Sequence, residues 1–166
     1  MIRPAKPQEF TQILKIYQTA RLYMKTHGNP CQWGNHNPTP ETLEEDMRRG
    51  QLYVLEGADY TAHAAFVFFT GAEPSYTQID GAWLDGGPYG CIHRVASDGT
   101  LHGVFRHIAG FCKAQTASLR IDTHADNHTM QHLLEQTGFV RCGIIRLPDG
   151  SPRIAYQFLK IEDALE

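Results

Sequence analysis

The chain has no long apolar run, no block of charge of one sign and no closely paired cysteines, and each absence removes a class of function. Nothing in its 166 residues approaches the roughly 20 consecutive apolar positions of a membrane-spanning helix. The opening Met1-Ile2-Arg3-Pro4-Ala5-Lys6-Pro7 also lacks the apolar core of a secretory leader, so a cytoplasmic location with no membrane partner is expected. Fifteen Lys and Arg against eighteen Asp and Glu leave a formal charge of -3, which gives no basic field to attract nucleic acid. Cys31, Cys91, Cys112 and Cys142 are widely spaced with no Cys-x-x-Cys pair, which argues against a zinc knuckle or a redox dithiol and for reduced, buried thiols. What remains is an ordinary globular composition, 42% hydrophobic, long enough for one core, and a single domain over residues 1–166 is expected.

The patterning predicts a mixed α+β order, βααβββ followed by αβαββ. Met1 to Lys6 reads as a short strand. Pro7-Gln8-Glu9 opens a helix running to Lys25, with Phe10, Ile13, Leu14, Tyr17 and Ala20 at helical spacing. Gly28 to Pro38 is a loop dense in turn formers that carries Trp33. Thr39 or Thr42 caps a second helix, acidic at its start and ending in Arg48-Arg49-Gly50, the charge order that complements a helix dipole. Leu52 to Glu56 and Ala62 to Phe69 read as an antiparallel pair, Glu73 to Ala82 and Cys91 to Ala96 as further strands, and Val104 to Ala114 as a helix.

Ser118 to Gly143 is the densest unit. Leu119-Arg120-Ile121-Asp122-Thr123 alternates apolar and polar as a half-buried strand does, and Asp126-Asn127 supplies a turn and a helix cap. Met130, Leu133, Leu134 and Thr137 make one face of the helix that follows, Gly138 stops it, and Phe139 starts another strand. This run, with Asn127, Leu133-Leu134-Glu135-Gln136 and Gly138-Phe139, resembles the second half of the acyl-CoA site of the GNAT superfamily of acyl-CoA-dependent N-acyltransferases. Cys142 to Ile145 and Pro148 to Tyr156, turning at Asp149-Gly150, look like the closing hairpin of its bacterial members. The resemblance implies a mixed sheet of six or seven strands flanked by about four helices. It also implies transfer of an acetyl group from acetyl-CoA to a primary amine of a small molecule or peptide by direct attack.

The resemblance further implies where the parts of the site lie. Val95 would hold pantetheine on a strand opened from its neighbour, and Asn127 would sit near it, although Asn127 reads equally as a helix cap. The pyrophosphate loop, aligned before the helix, is Thr100-Leu101-His102-Gly103-Val104-Phe105, in which Gly103 alone keeps the family pattern. Thr100 replaces a long polar residue and Phe105 a small one, while Ser97, Gly99 and His102 offer other donors for an anion. His93 is the candidate base, since imidazole exchanges protons near neutrality, and it should share a face with Cys91 and Val95; a histidine satisfied inside the sheet is the plainer reading. Glu73 and Asp80 are alternatives that would hold an amine by charge. The family tyrosine that protonates the leaving thiolate is Leu134 here, so Tyr156, Ser97, Cys142 or solvent would serve. Tyr23, Met24, Trp33 and Trp83 are candidates for the acceptor side through cation–π contact, Trp33 reading also as a hydrophobic plug. His128 and His132 share a helix face near His124, but two ligands make no metal site and none is expected. The rival reading is a non-catalytic GNAT-like module that binds acyl-CoA or another protein; an interaction domain that dimerises with a second copy through its C-terminal strands is a third.

Overall fold

Alternation in the strands sorts the apolar side chains onto two faces. In the computed structural model, which describes residues 1–161, Leu52 and Val54 of one strand face one side and Tyr53 the other. The next strand does the same, with Ala65 and Val67 against Phe66 and Phe68. The elements are β1 (Ile2–Pro4), α1 (Phe10–Thr26), α2 (Pro40–Arg48), β2 (Leu52–Glu56), β3 (Ala62–Thr70), β4 (Asp80–Gly81), β5 (Gly90–Ser97), α3 (Val104–Gln115), β6 (Ser118–Thr123), α4 (His128–Gln136), β7 (Val140–Arg146) and β8 (Pro152–Leu159). They form one mixed eight-stranded sheet in the order β1-β2-β3-β5-β6-β8-β7-β4, parallel at β5–β6 and antiparallel elsewhere. Four helices flank it, as expected, and the strands exceed the six or seven expected.

The first face is covered by α1 and α2, whose Ile13, Ile16, Tyr17 and Leu43 pack on β2 and β3. The second is covered by α3 and α4, whose Phe105, Ile108, Cys112 and Leu134 join Phe66, Ile92, Leu119 and Tyr156. Burying each of these side chains is worth roughly 1.5–3 kcal/mol against exposure. The parallel step from β5 to β6 needs a crossover, and α3 supplies it. No helix among the described residues is long and apolar enough to cross a membrane.

Two expectations are corrected. Residues 73–82 are not one strand: Pro74 opens a single 3₁₀ turn to Tyr76, capped by Glu73 accepting from the Ser75 amide at 3.2 Å, and only Asp80–Gly81 pair, with β7. That pairing is close. A Cβ on Gly81 or on Gly143 opposite it would lie 2.2 or 2.1 Å from a carbonyl oxygen, and both residues have positive φ, so glycine is needed on each side. Val95 does not share the face of Cys91 and His93. Arg94 has φ +51°, and Arg94 and Val95 together oppose Phe66, a bulge that turns Val95 toward the α3–α4 cluster while His93 keeps to the other side beside Phe69 and Tyr76.

Candidate active site

The bulge lies where the sheet opens. Strands β5 and β6 pair at Gly90 with Leu119 and at Cys91 with Arg120 and no further, so from Ile92 to Ser97 one edge of β5 has no strand beside it. An extended molecule bearing amides can pair with such an edge as an added strand would. Two cavities occupy the opening. One, of about 290 Å³, runs along Val95 to Gly99 between the C-terminal half of α1 and the starts of α3 and α4. The other, of about 1100 Å³, is bounded by the loop from Cys31 to Pro38, by Glu73, His93 and Asp122, and by the β7–β8 turn. Met24, Val95, Asn127 and Met130 line both, so the two meet at the splay.

The smaller cavity ends at the loop that leads into α3. Ser97 Oγ accepts from the Gly99 amide at 3.1 Å and Asp98 from the Thr100 amide at 2.8 Å, folding the loop back on itself. Gly103, at φ +65°, precedes α3, and no side chain caps that helix, which leaves its first N–H groups and the positive end of its dipole for a ligand. Ser97, Gly99 and Val104 line the cavity, whereas Thr100, His102 and Gly103, also expected there, do not. Phe105 does not block the approach. Its ring is 3% exposed, turned into the core against Phe139 at 6.2 Å, and forms part of the cavity floor. Asn127 caps α4 through the Met130 amide at 3.0 Å and donates its Nδ2 to Gln32 Oε1 at 2.9 Å, which ties the Cys31–Pro38 loop to the junction.

Asp98 puts a carboxylate in this loop, and His63 pairs with it. Burial alone would raise the Asp98 carboxyl, but the Thr100 amide and His63 bring it below its ordinary value. His63 Nδ1 is 2.8 Å from Asp98, its Nε2 is 2.9 Å from Asp59, and the hydrogen bond to Asp98, against some burial, raises its pKa. A raised histidine pKa gives stability that is whole below about 6.5 and lost as pH rises through the raised value. Thermal denaturation from pH 6 to 9 is therefore expected to show a loss of about 0.5–1 kcal/mol from this pair. The loss should vanish in His63→Gln; an unchanged pH slope in that variant would show that the pair contributes nothing.

In the larger cavity His93 Nε2 lies 3.2 Å from Glu73 Oε2 and Nδ1 lies 4.0 Å from Asp122 Oδ2. The His93 hydrogen bond, against partial burial, holds the Glu73 carboxyl below its usual range, so it is an ionised acceptor. The neutral tautomer that donates to this carboxylate is the Nε2–H form, which leaves the Nδ1 lone pair on the Asp122 side. Tyr76, whose hydroxyl burial keeps protonated, donates to Asp122 at 2.7 Å. Trp33 lines this cavity and packs on Tyr17 at 5.7 Å between ring centres.

Other expected residues lie elsewhere. Tyr23 lines the smaller cavity, stacked on His27 at 3.8 Å, and not the larger one. Asp80 is exposed on the edge strand β4, and Trp83 packs on Tyr76 with its face to the Arg120 guanidinium at 4.2 Å; neither lines either of these two cavities. Tyr156 is fully buried between β6 and β7, its hydroxyl pKa raised by that burial, and is not brought to the splay. Leu134 is likewise sealed in the core. Sequence reasoning missed Asp122, Gln32 and Arg153, whose polar character fits a solvated strand or loop position until the register is known.

No family model and no curated protein matches the chain. Solved structures do. A GNAT-family acetyltransferase of Streptococcus agalactiae is 30% identical over 98% of this chain and 96% of its own, with a TM-score of 0.86. A candidate acetyltransferase of Staphylococcus aureus is 28% identical over 96% and 98%, with a TM-score of 0.66. The fold is also that of yncA of Salmonella typhimurium, solved with acetyl-CoA, at 13% identity over 100% and 96% and a TM-score of 0.62. With the open strand edge, the uncapped α3 and a full-length relative at 30% identity, the chain belongs to the GNAT family of acetyltransferases.

Proposed function

We propose that the protein transfers an acetyl group from acetyl-CoA to a primary amine of a small molecule or peptide by direct attack, within the single domain its 166 residues form. The observation that carries this is the meeting of the two cavities at Val95, Asn127 and Met130, with His93 in the larger one. The free edge of β5 would hold the pantetheine amides, and Ser97, Gly99 and the N-terminus of α3 from Val104 would hold the pyrophosphate, with Thr100, His102 and Gly103 shaping the loop. The geometry fits that cofactor: the edge is unpaired, the helix is uncapped, and Phe105 is turned away. Bound acetyl-CoA supplies a thioester carbon to which the amine nitrogen bonds as the carbon–sulfur bond breaks.

The chain's own groups prepare the nucleophile. His93 Nδ1 takes a proton from the ammonium, and Glu73 and Asp122 stabilise the imidazolium so formed. Direct attack requires no covalent enzyme intermediate, and burial raises the thiols of Cys91 and Cys112, the latter to about 12, which leaves those two poor nucleophiles. The leaving thiolate has a thiol pKa near 8.5 and needs no tyrosine acid, so Leu134 is compatible with turnover.

Calorimetric titration with acetyl-CoA, and desulfo-CoA as control, tests the reading. Micromolar binding followed by acetylation in an amine screen supports it. Binding without transfer to any amine would favour the non-catalytic acyl-CoA-binding alternative that Leu134 suggests, and no binding at millimolar ligand would exclude both.

A further inference from the structure

Three arginines line the larger cavity, and two are neutralised within the protein. Arg94 pairs with Asp46 through two hydrogen bonds of 2.8 and 2.7 Å, and Arg49 pairs with Glu45. Arg153 is different. It is 8% exposed, yet among the described residues no carboxylate lies within ion-pairing distance of it. Its guanidinium donates Nη1 to the Pro152 carbonyl at 2.8 Å and Nη2 to the Gln32 carbonyl at 3.3 Å, which fixes it in place and leaves three of five N–H donors for another group. Asp149, in the adjoining turn, is held by the Ser151 amide and hydroxyl; Arg153 also acts on it, but from beyond ion-pairing range. A largely buried cation hydrogen-bonded only to neutral carbonyls is a ready partner for a negative group, and Arg153 lines the cavity that would deliver one.

The register sets its relation to the base. Asp122 on β6 pairs with Ala155 on β8, so Arg153, two residues along, stands on the same face as Asp122 at the diagonal spacing, roughly 7–8 Å between Cα atoms. The cavity thus carries Glu73, His93 and Asp122, which suit an ammonium, and one diagonal step from Asp122 a guanidinium with free donors, which suits a carboxylate. Building on the acetyltransferase reading, we propose that the acceptor is a free amino acid, its carboxylate held by Arg153 and its amine presented to His93. A peptide N-terminus, which has an amide where the amino acid has a carboxylate, lacks the recognised group.

The test is a panel of free L-amino acids, each beside its primary amide, assayed with acetyl-CoA by release of free thiol. At least one amino acid is expected to exceed its amide in kcat/KM by tenfold or more. In Arg153→Met that ratio should fall toward one, and in Arg153→Lys it should lie between, with the acetyl-CoA Kd and Tm of each variant confirming that it is folded. Equal turnover of acids and amides, transfer to amides or peptides alone, or a ratio unchanged in a folded Arg153→Met would each overturn the proposal while leaving the acetyltransferase reading intact. A wild-type protein that binds acetyl-CoA but transfers to nothing on either side of the panel overturns this proposal alone, whereas one that binds no acetyl-CoA overturns that reading and this proposal with it.

Discussion

Replacing His93 with alanine is expected to lower kcat/KM for acetyl transfer by about 10²–10⁴-fold while leaving the Kd for acetyl-CoA unchanged. The split follows from position. His93 lines the larger cavity and not the smaller, so its loss removes the proton acceptor for the amine without touching the cofactor groove. Glu73 acts through it: with the carboxylate 3.2 Å from Nε2, the proton is fixed there and the lone pair of Nδ1 faces the acceptor. Glu73→Gln should therefore cost less, about tenfold, because the amide oxygen can still accept from Nε2 but no longer stabilises the imidazolium. It should also shift the acid limb of the kcat/KM profile to lower pH, since without the carboxylate charge the imidazolium is less stable and His93 gives up its proton at lower pH. A His93→Ala protein with wild-type kcat/KM would move the base to Asp122, which the corresponding Asp122→Asn would then identify.

Helices and outer strands were legible because their signals are local. The 3.6-residue spacing from Phe10 to Ala20, the Thr39 cap and the Asn127 to Gly138 frame each fix an element without reference to the rest of the chain. The region from Glu73 to Ala82 was not, because its alternation mimics a strand while Pro74 and the Glu73 side chain build a turn instead. Asp80 is expected near the acceptor because of that false strand and Trp83 because of its aromatic ring; the structure puts Asp80 on the sheet edge and Trp83 against Tyr76. His93 and Asn127 were named from the sequence for roles the site can use. Glu73 is named too, but as an alternative to His93 and not as its partner; Asp122, Gln32 and Arg153 are not legible, since they come from three separate segments and only the sheet order brings them together. The bulge was equally hidden: nothing in Ile92-His93-Arg94-Val95 indicates that Arg94 adopts a left-handed backbone.

That backbone is held by identifiable contacts, and they set the second large effect. A non-glycine residue at φ +51° costs of the order of 1–3 kcal/mol, and persists only when its surroundings determine it. Asp46 grips the Arg94 side chain through Nε and Nη2, and the Tyr17 hydroxyl, kept protonated by burial, donates to the Arg94 carbonyl at 2.7 Å. Removing Asp46 leaves a partly buried guanidinium uncompensated at a strained residue. Asp46→Ala is expected to cost about 2–3 kcal/mol, below the 3–5 of a sealed pair because the Arg94 side chain is 30% exposed. It should also weaken acetyl-CoA binding about tenfold or more, since a relaxed bulge no longer directs Val95 into the groove. Arg94→Gly and Arg94→Ala separate strain from pairing. Both lose the ion pair, but glycine takes positive φ freely, so Arg94→Gly should be more stable than Arg94→Ala by about 1 kcal/mol, against the usual cost of glycine in a strand. Urea denaturation of the three variants measures this directly. An Arg94→Ala protein as stable as Arg94→Gly would mean that the bulge is set by the β3–β5 register alone and that Asp46 serves only to neutralise charge in the cavity.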